Sequence, residues 1–215
     1  MRGRTAWTPA QGDPTVTLLL RHGQTPMSVK KRYAGLSDVP LTEVGLLQAV
    51  AAGKRLASAG ITAIVASPLV RTLRTADEVA AATGAPVETD EGFRETDFGA
   101  WDGLTFAEVT ERWPAEMTAW RADPGVAPPG GESLADVSSR VDSALRRVLA
   151  RYQGRTVLIV SHVTPIKTLV AAALLAPPLA LYRMHLDVAA LCQVDWYADG
   201  PAVLRSFNDT GHLSD

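Results

Sequence analysis

The strongest constraint on the fold is a set of three short apolar runs, separated by segments with a helical pattern. The runs read TVTLLL at 15–20, ITAIVAS at 61–67 and TVLIVS at 156–161. Unbroken runs of β-branched and aliphatic residues are typical of strands that are covered on both faces. Because strands that alternate with helices usually pair in parallel, we predict a three-layer α/β/α sandwich with a mostly parallel central sheet.

The two helices nearest the N-terminus are predicted from their end signals. Segment 41–60 has a helical apolar pattern, and we expect this helix to be capped by Thr42 and closed by Gly60. Ser67 and Pro68 are the residue types of an N-cap and a first-turn proline. A second helix is therefore expected from there to about Thr83.

The second half of the chain contains two further helical patterns and most of the weaker strand patterns. An apolar stripe at helical spacing runs from Leu134 to Tyr152, and another helix is expected from Pro165 to about Leu175. Weaker strand patterns lie at 85–90, 189–197 and 202–207. These segments bring the number of predicted strands to six.

The length of the chain fits one domain with a polar N-terminal segment. The 215 residues are enough to bury a sizeable core. Residues 1–14 are polar, contain scattered Pro and Gly and show no periodicity, which predicts a flexible tail or a linker remnant. We expect residues 15–215 to form a single domain. Within it, an irregular segment ends at about Gly103, and the segment at about 104–133, with short helical pieces and a PPGG loop, is expected to cover the functional site as a lid.

Composition and charge exclude several classes of partner. A net charge of -2 gives no overall attraction to nucleic acid or to acidic membranes, so anion binding must be local. Cys192 is the only cysteine, which rules out an internal disulfide and a thiolate metal cluster. The N-terminus has no apolar core of signal-peptide type, and Pro177 and Pro178 interrupt the longest apolar stretch. We therefore expect a cytoplasmic protein that does not bind membranes.

The candidate functional residues follow the three apolar runs. Arg21 and His22 follow the first, a helix start with Arg71 follows the second, and His162 follows the third. In sheets of this kind, ligands bind beyond the carboxyl ends of the strands. Arginine pairs with phosphate oxygens through two parallel hydrogen bonds, and a helix N-terminus attracts the same anion. The arrangement predicts a phosphate site.

Two histidines at a phosphate site indicate chemistry rather than binding alone. A neutral imidazole is a good nucleophile toward phosphorus, and a covalent intermediate divides one difficult displacement into two easier ones. The arginines would neutralise the charge on the phosphoryl oxygens during transfer. We find no magnesium site and expect no metal ion and no cofactor. The expected partner is a small phosphorylated substrate.

Four sequence blocks resemble the histidine phosphatase superfamily, which has the phosphoglycerate mutase-like fold. In order, they read LLLRHGQT, SPLVRTLRTA, FRETDFGAWDG and VSHVTPIK, and the PPGGES and NDTGHL segments are also similar. The match covers roughly residues 15–213. The resemblance implies that His22 is the nucleophile, Glu95 the proton donor and His162 the second histidine, with Arg21 and Arg71 as phosphate ligands.

Two of these assignments have competitors nearby. Asp97 is the alternative to Glu95 as the proton donor, because both lie in the same irregular segment. Arg74 competes with Arg71, but Arg71 lies in the first turn of the predicted helix and matches the block. We expect Arg74 to be solvated.

Three further residues are expected as secondary phosphate contacts. Gln24 and Thr25 directly follow the first block, where their N–H groups and side-chain donors would lie near a bound phosphate. Thr164 is a third candidate for such a contact. A role as the N-cap of the helix that starts at Pro165 explains this residue at least equally well.

The fourth block departs from most of the family. Small residues, commonly glycines, follow the second histidine in most members, whereas this chain reads VTPIK at 163–167. This version resembles the phosphatase half of actinobacterial chains in which a ribonuclease H domain is fused to an alpha-ribazole phosphatase-like domain. The resemblance implies either an excised domain from such a fusion or a stand-alone relative, and no nucleic-acid binding by this domain.

The activity implied is that of a metal-independent phosphomonoesterase, an acid phosphatase that acts on small metabolites. Alpha-ribazole 5'-phosphate, an intermediate of cobalamin biosynthesis, is the substrate that the resemblance suggests. A phosphoglycerate mutase-type isomerase is the first alternative. A non-catalytic phosphate-binding module is the second, although binding needs neither a nucleophile nor an acid.

Overall fold

A six-stranded mixed sheet forms the centre of the molecule. The computed structural model describes residues 12–213; most of the predicted tail at 1–14 therefore lies outside the described residues. The strands are β1 Thr15–Arg21, β2 Ile61–Ala66, β3 Val87–Thr89, β4 Thr156–Ser161, β5 Leu191–Trp196 and β6 Ala202–Asp209. Their order is β3-β2-β4-β1-β5-β6. The first four strands in this order run parallel, and β5 is antiparallel to both of its neighbours, β1 and β6. The predicted fold class is confirmed.

Helices cover both faces of this sheet. The α-helices of the described chain are α1 Pro26–Val29, α2 Glu43–Leu56, α3 Val70–Thr83, α4 Phe106–Arg112, α5 Pro114–Ala122, α6 Leu134–Arg151 and α7 Val163–Ala173. Of these, α2 and α3 pack on one face, and α6 and α7 on the other. Adjacent residues of β1 point to opposite faces: Leu19 packs in the core beneath α6 and α7, and Leu20 packs in the core beneath α2 and α3. The apolar runs are therefore buried on both sides, as their composition predicts.

Two predicted helix ends near the second strand are wrong. Helix α2 is capped by Thr42 as expected, but it ends at Leu56, and Gly60 instead adopts a φ of 66° in the turn that leads into β2. Helix α3 begins at Val70, with Leu69 as its N-cap residue. Ser67 does not cap that helix, because its hydroxyl is hydrogen-bonded to His162.

The start of α7 also differs from the expectation. The helix begins at Val163, and His162 is its N-cap residue. Pro165 then lies in the first turn, where a missing N–H group removes no intrahelical hydrogen bond. The predicted N-cap role of Thr164 is therefore wrong, since Thr164 is already inside the helix.

A small, largely aromatic core packs helices α4 and α5 against the loop that contains Phe98 and Trp101. Buried Trp101 has its ring centroid 5.4 Å from that of Trp120 in α5, and the tilted rings of Tyr33 and Phe98 have centroids 4.7 Å apart. This cluster fixes α4 and α5 next to the carboxyl ends of the strands. None of the helices within residues 12–213 is both long and apolar enough to cross a membrane.

Candidate active site

A cavity of about 680 Å³ opens beyond the carboxyl ends of β1 and β4. Its wall includes Arg21, His22, Thr25, Glu95 and Thr164, which were all predicted from the sequence. Residues of α4 and α5, which belong to the segment predicted as a lid, also line it. Its volume lies within the range of typical small-molecule sites.

The turn after β1 explains why a glycine follows Arg21 and His22. The His22 N–H group still pairs with the Ser161 carbonyl of β4, and the chain then passes against α2. A Cβ atom at Gly23 would lie 2.3 Å from the Gly45 carbonyl oxygen. A Cβ atom at Gly45 would in turn lie 2.1 Å from the Gln24 carbonyl oxygen. Both positions require glycine, because any larger residue would push His22 out of place.

The hydrogen bond of His22 fixes its tautomer. Nδ1 lies 2.8 Å from the Gly23 carbonyl oxygen, which can only accept, so Nδ1 carries the proton. Nε2 therefore keeps its lone pair. Burial, with the nearby charges of Arg21 and Arg71, holds the pKa of His22 well below its usual 6.5. The imidazole is neutral at physiological pH, as a nucleophile must be.

His162 lies directly beside His22. The two ring centroids are 5.1 Å apart in an edge-to-face arrangement. Nδ1 of His162 accepts from the Arg71 guanidinium at 3.2 Å, and Nε2 lies 2.8 Å from the Ser67 hydroxyl. With Nδ1 as an acceptor, Nε2 carries the proton. Burial and the charge of Arg71 also hold the pKa of His162 well below 6.5.

The two predicted arginines occupy different positions. Arg21 lines the cavity; one Nη1–H donates to the Leu186 carbonyl, while buried Nε has no partner among the described residues. Burial lowers its pKa to about 10, so the guanidinium stays charged at neutral pH. Arg71 is almost fully buried, and its Nη groups donate to the backbone carbonyls of Ala34, Gly35 and Ser37. A direct phosphate contact by Arg71 remains a prediction.

Geometry separates Glu95 from Asp97. Glu95 lines the cavity, and its carboxylate accepts from the backbone N–H groups of Thr96, Val163 and Thr164 at 2.8–3.4 Å. Asp97 lies outside the cavity wall and accepts from the Gly99 N–H group in its own turn. The structure therefore brings Glu95, and not Asp97, into the cavity with His22.

The loop that carries Glu95 is held by two other segments. Arg140 of α6 donates to the Glu95 carbonyl and forms an ion pair with Glu132 at 2.8 Å. Glu132 also accepts from the Asp97 N–H group. A Cβ atom at Gly131 would lie 2.3 Å from the Asp97 carbonyl oxygen, which explains the second glycine of the PPGGES segment. The sequence did not indicate this role of Arg140.

Two of the three residues predicted as secondary phosphate contacts line the cavity, and the third does not. Thr25 is buried at the cavity wall and caps α1 by accepting from the Ser28 N–H group. The backbone N–H of Gln24 donates to Gln48 and its side-chain oxygen accepts from Thr42, and Gln24 does not line the cavity. Thr164 lies on the wall through the first turn of α7.

Several cavity residues were not identified from the sequence. Tyr33, Tyr182, Arg32 and Lys167 all line the wall. Their elements are far apart in the chain, and each single residue looks like an ordinary surface or core position. Only the spacing on α7 offered a signal, since Lys167 follows Thr164 by three residues and shares its helical face. Within residues 12–213, no group of three or more His, Cys, Asp or Glu side chains is placed to hold a metal ion.

Burial of two neutral imidazoles predicts that the protein loses stability in mild acid. In the unfolded chain a histidine takes up a proton near pH 6.5, whereas folded His22 and His162 do so only at much lower pH. Below about pH 6.5 the unfolded state therefore binds more protons than the folded state. The free energy of unfolding then decreases as the pH is lowered. Between pH 7.5 and 5.5 we expect urea denaturation to show a loss of about 1 kcal/mol per histidine.

A variant provides the control for this prediction. His162→Gln removes one of the two titrating groups, so its free energy of unfolding should depend less steeply on pH than that of the wild type. An unchanged pH dependence would contradict the neutral state of His162.

Comparison with protein families and curated relatives extends the similarity over most of the chain. The model of the histidine phosphatase superfamily (branch 1) matches residues 17–210. A bifunctional protein of Mycobacterium tuberculosis is 50% identical over 208 residues, which cover 96% of this chain but 57% of that protein. The chain thus spans little more than half of this relative. A protein of Salmonella paratyphi B, named as a probable phosphoglycerate mutase, is 36% identical over 203 residues, covering 91% of this chain and 93% of that protein.

Solved structures include phosphatases with the same fold. A mycobacterial glucosyl-3-phosphoglycerate phosphatase, in complex with VO3, superposes with a TM-score of 0.84 at 33% identity, covering 91% of this chain and 100% of that one. An Escherichia coli protein, provisionally named as an alpha-ribazole-5'-P phosphatase, gives a TM-score of 0.83 at 26% identity, covering 92% of this chain and 97% of that one. These neighbours support a phosphatase activity. With its fold, its cavity and the family match in agreement, the chain belongs to the histidine phosphatase superfamily, branch 1.

Proposed function

We propose that the chain is a phosphomonoester hydrolase that acts through a phosphohistidine formed on His22 and needs no metal ion. One observation carries the proposal. The neutral imidazole of His22, with a free Nε2, lines the cavity together with Arg21 and Glu95, and its ring centroid lies 5.1 Å from that of His162. Simple anion binding would be served by the arginines alone.

The proposed reaction has two displacements. Nε2 of His22 attacks phosphorus, a P–N bond forms and the ester P–O bond breaks, while Glu95 in its acid form gives a proton to the leaving alcohol. Glu95, now a carboxylate, then takes a proton from a water molecule whose oxygen attacks the phosphohistidine. The P–N bond breaks, phosphate leaves, and both His22 and Glu95 return to their starting states.

Fixed positive charge supports both steps. Arg21 lies at the cavity wall with an unpartnered Nε, and the guanidinium of Arg71 donates to neutral His162, the neighbour of His22. Positive groups that are fixed before the reaction stabilise the phosphoryl oxygens without a cost of reorganisation. Two guanidinium groups supply the charge that a metal ion provides in other phosphoryl-transfer enzymes.

A mutase remains the second candidate, because a curated relative is named as a probable phosphoglycerate mutase. A mutase returns the phosphoryl group to another hydroxyl of the same molecule, whereas a hydrolase releases it to water. The two are separated by following 3-phosphoglycerate: a hydrolase produces inorganic phosphate, and a mutase produces 2-phosphoglycerate without net phosphate release.

For the substrate, we propose small phosphorylated metabolites, with alpha-ribazole 5'-phosphate as the first to be tested. The support is the sequence resemblance and the similarity to the Escherichia coli structure named for that activity. If it is the substrate, the chain acts in cobalamin biosynthesis. Broad acid phosphatase activity on sugar and nucleotide monoesters is the other outcome of such a test.

The fusion to a ribonuclease H domain also remains a prediction. Its support is that the chain corresponds to 57% of a mycobacterial relative that is named as bifunctional. Sequencing the complete gene would decide it.

Metal independence is tested in the same assay as the activity. We expect phosphate release from alpha-ribazole 5'-phosphate or another monoester to continue unchanged after dialysis against EDTA. A loss of activity that is restored by Mg²⁺ would contradict the proposed charge arrangement. The assay needs only a colorimetric measurement of inorganic phosphate across a set of monoesters.

A further inference from the structure

One cation of the cavity is not explained by the proposed reaction. Lys167 lines the wall and is half-buried, yet it forms no hydrogen bond and no ion pair within residues 12–213. The other cations have partners. Arg32 is paired with Glu108 at 2.8 Å, Arg21 donates to Leu186, and Arg121 lies over the ring of Phe106 at 5.9 Å.

Leaving this ammonium group without a partner has an energetic cost. Burial and the charge of Arg21 lower the pKa of Lys167, which means that its charged form is destabilised in the free protein. A desolvated charge is normally paired or hydrogen-bonded. Glu95, the only acidic residue of the cavity wall, has its carboxylate occupied by backbone N–H groups. An anion from outside the protein is the partner that the site lacks.

The position of Lys167 separates it from the attacking histidine. The ammonium group interacts with Arg21 and Glu95, whereas Lys167 is not among the charges that lower the pKa values of His22 and His162. Helical side chains lean toward the N-terminus of their helix, so that of Lys167 leans toward the first turn of α7, which binds the Glu95 carboxylate. In the proposed reaction, Glu95 faces the leaving alcohol. Lys167 therefore lies on the leaving-group side of the cavity.

We propose that Lys167 and the hydroxyl of Thr164 form a second anion site, which binds a carboxylate or phosphate group on the alcohol part of the substrate. The two residues are three positions apart on the same face of α7, and both line the cavity. The cavity of about 680 Å³ has room for a leaving group of many atoms beside the phosphoryl group. This inference rests on the proposed function, because it concerns the leaving group of the same reaction.

The site predicts a preference among monoesters of equal size. A substrate whose alcohol carries a second anion gains a charge-assisted hydrogen bond that a neutral alcohol lacks. Alpha-ribazole 5'-phosphate has no such second anion, so Lys167 gives it no added affinity. Phosphorylated acids should therefore be turned over more efficiently than their neutral counterparts.

The test uses two pairs of monoesters that differ by a carboxylate. The shorter pair is 3-phosphoglycerate and glycerol 3-phosphate, and the longer pair is 6-phosphogluconate and glucose 6-phosphate. In Lys167→Met, we expect kcat/KM for the acid of at least one pair to fall about tenfold or more, mainly through KM. For the ester of the neutral alcohol in the same pair, kcat/KM should stay within about twofold of the wild-type value. Lys167→Arg should restore most of the loss.

The matched control is Lys54→Met, which removes an exposed charge from α2 outside the cavity wall. It should leave all four values unchanged. An equal loss for acid and neutral esters in Lys167→Met would overturn the proposal, since the ammonium would then serve the transferred phosphoryl group or the structure. No loss for either acid would overturn it as well.

A binding measurement separates this proposal from the proposed hydrolysis. Titration calorimetry of the four ligands with His22→Ala, alone and combined with Lys167→Met, needs no turnover. If the wild type releases no phosphate but the acids lose affinity selectively when Lys167 is replaced, the hydrolase assignment is wrong and the anion site stands. If neither acid binds, or the affinity of acids and neutral esters falls equally, the anion site is wrong.

Discussion

Replacement of His22 by alanine is expected to reduce phosphate release at saturating substrate by roughly 10⁴-fold or more. In the proposed reaction this side chain forms the covalent bond to phosphorus, and no other residue of the cavity can take its place. His162 lies beside it, but Nδ1 of His162 accepts from Arg71 and Nε2 is hydrogen-bonded to Ser67. The lone pair of His162, on Nδ1, is therefore directed at Arg71 and not at a substrate. The loss should appear in kcat, with little change in the affinity for inorganic phosphate.

The control for this variant is His185→Ala. His185 is an exposed histidine that lies 2.9 Å from Asp187 and does not line the cavity. It should keep the activity of the wild type. Retention of more than about a tenth of the activity in His22→Ala would contradict a nucleophilic role. If neither the wild type nor His22→Ala released phosphate while both bound the monoester with equal affinity, the non-catalytic module would become the better interpretation.

Replacement of Glu95 by glutamine is the second large effect, and its size should depend on the leaving group. Glutamine keeps the shape of the side chain but cannot donate a carboxyl proton. For alkyl phosphates, whose alcohols need that proton, we expect kcat/KM, which reports formation of the phosphohistidine, to fall about 10²- to 10⁴-fold. For p-nitrophenyl phosphate, whose phenolate leaves without protonation, the fall in kcat/KM should be smaller by at least about an order of magnitude.

Asp97→Asn provides the matched comparison for Glu95→Gln. Asp97 is the competing carboxylate from the same segment, and it accepts from the Gly99 N–H group outside the cavity wall. We expect this variant to retain kcat/KM for both classes of ester. A larger loss in Asp97→Asn than in Glu95→Gln, or an equal loss of Glu95→Gln on both esters, would contradict the role of Glu95 as the proton donor.

The strand pattern and the residues that follow each strand could be predicted because they depend on local sequence. The apolar runs at 15–20 and 156–161 form neighbouring parallel strands, so Arg21 and Ser161 are paired in register and the residues after them meet at one edge. That pairing alone brings His22 and His162 together. The reason why glycine follows His22, the close approach of Gly45, appears only in the structure.

The N-cap of α2 at Thr42 was predicted correctly, but that of α3 was not, because a tertiary hydrogen bond overrides local capping there. Ser67 has the residue type of an N-cap, but its hydroxyl is hydrogen-bonded to His162, which is 95 residues away. Gln24 lies next to the first block, but its polar groups are bound by Gln48 and Thr42 of the following helix region. Such competition depends on which side chains the fold brings together, and the local sequence does not contain that information.

The wall of the cavity was the least predictable part. Tyr33, Trp120 and Tyr182 come from three distant segments and meet through ring contacts, with centroids 6.4 Å apart for the first two and 5.6 Å for the last two. Each of these aromatic residues is equally compatible with an ordinary core position. Their shared surface exists only in the folded chain, where the three segments meet. For the same reason, Lys167 could be placed on a helical face but not in the cavity.

The most direct test of the account is to trap the covalent intermediate. The wild-type protein would be mixed with a rapidly cleaved monoester, quenched in alkali, digested, and analysed by mass spectrometry. The account predicts one phosphoryl group on the peptide that contains His22, stable in base and lost in acid, and absent from His22→Ala. A phosphoryl group on a serine or threonine, on His162, or on no residue while phosphate is being released would contradict it.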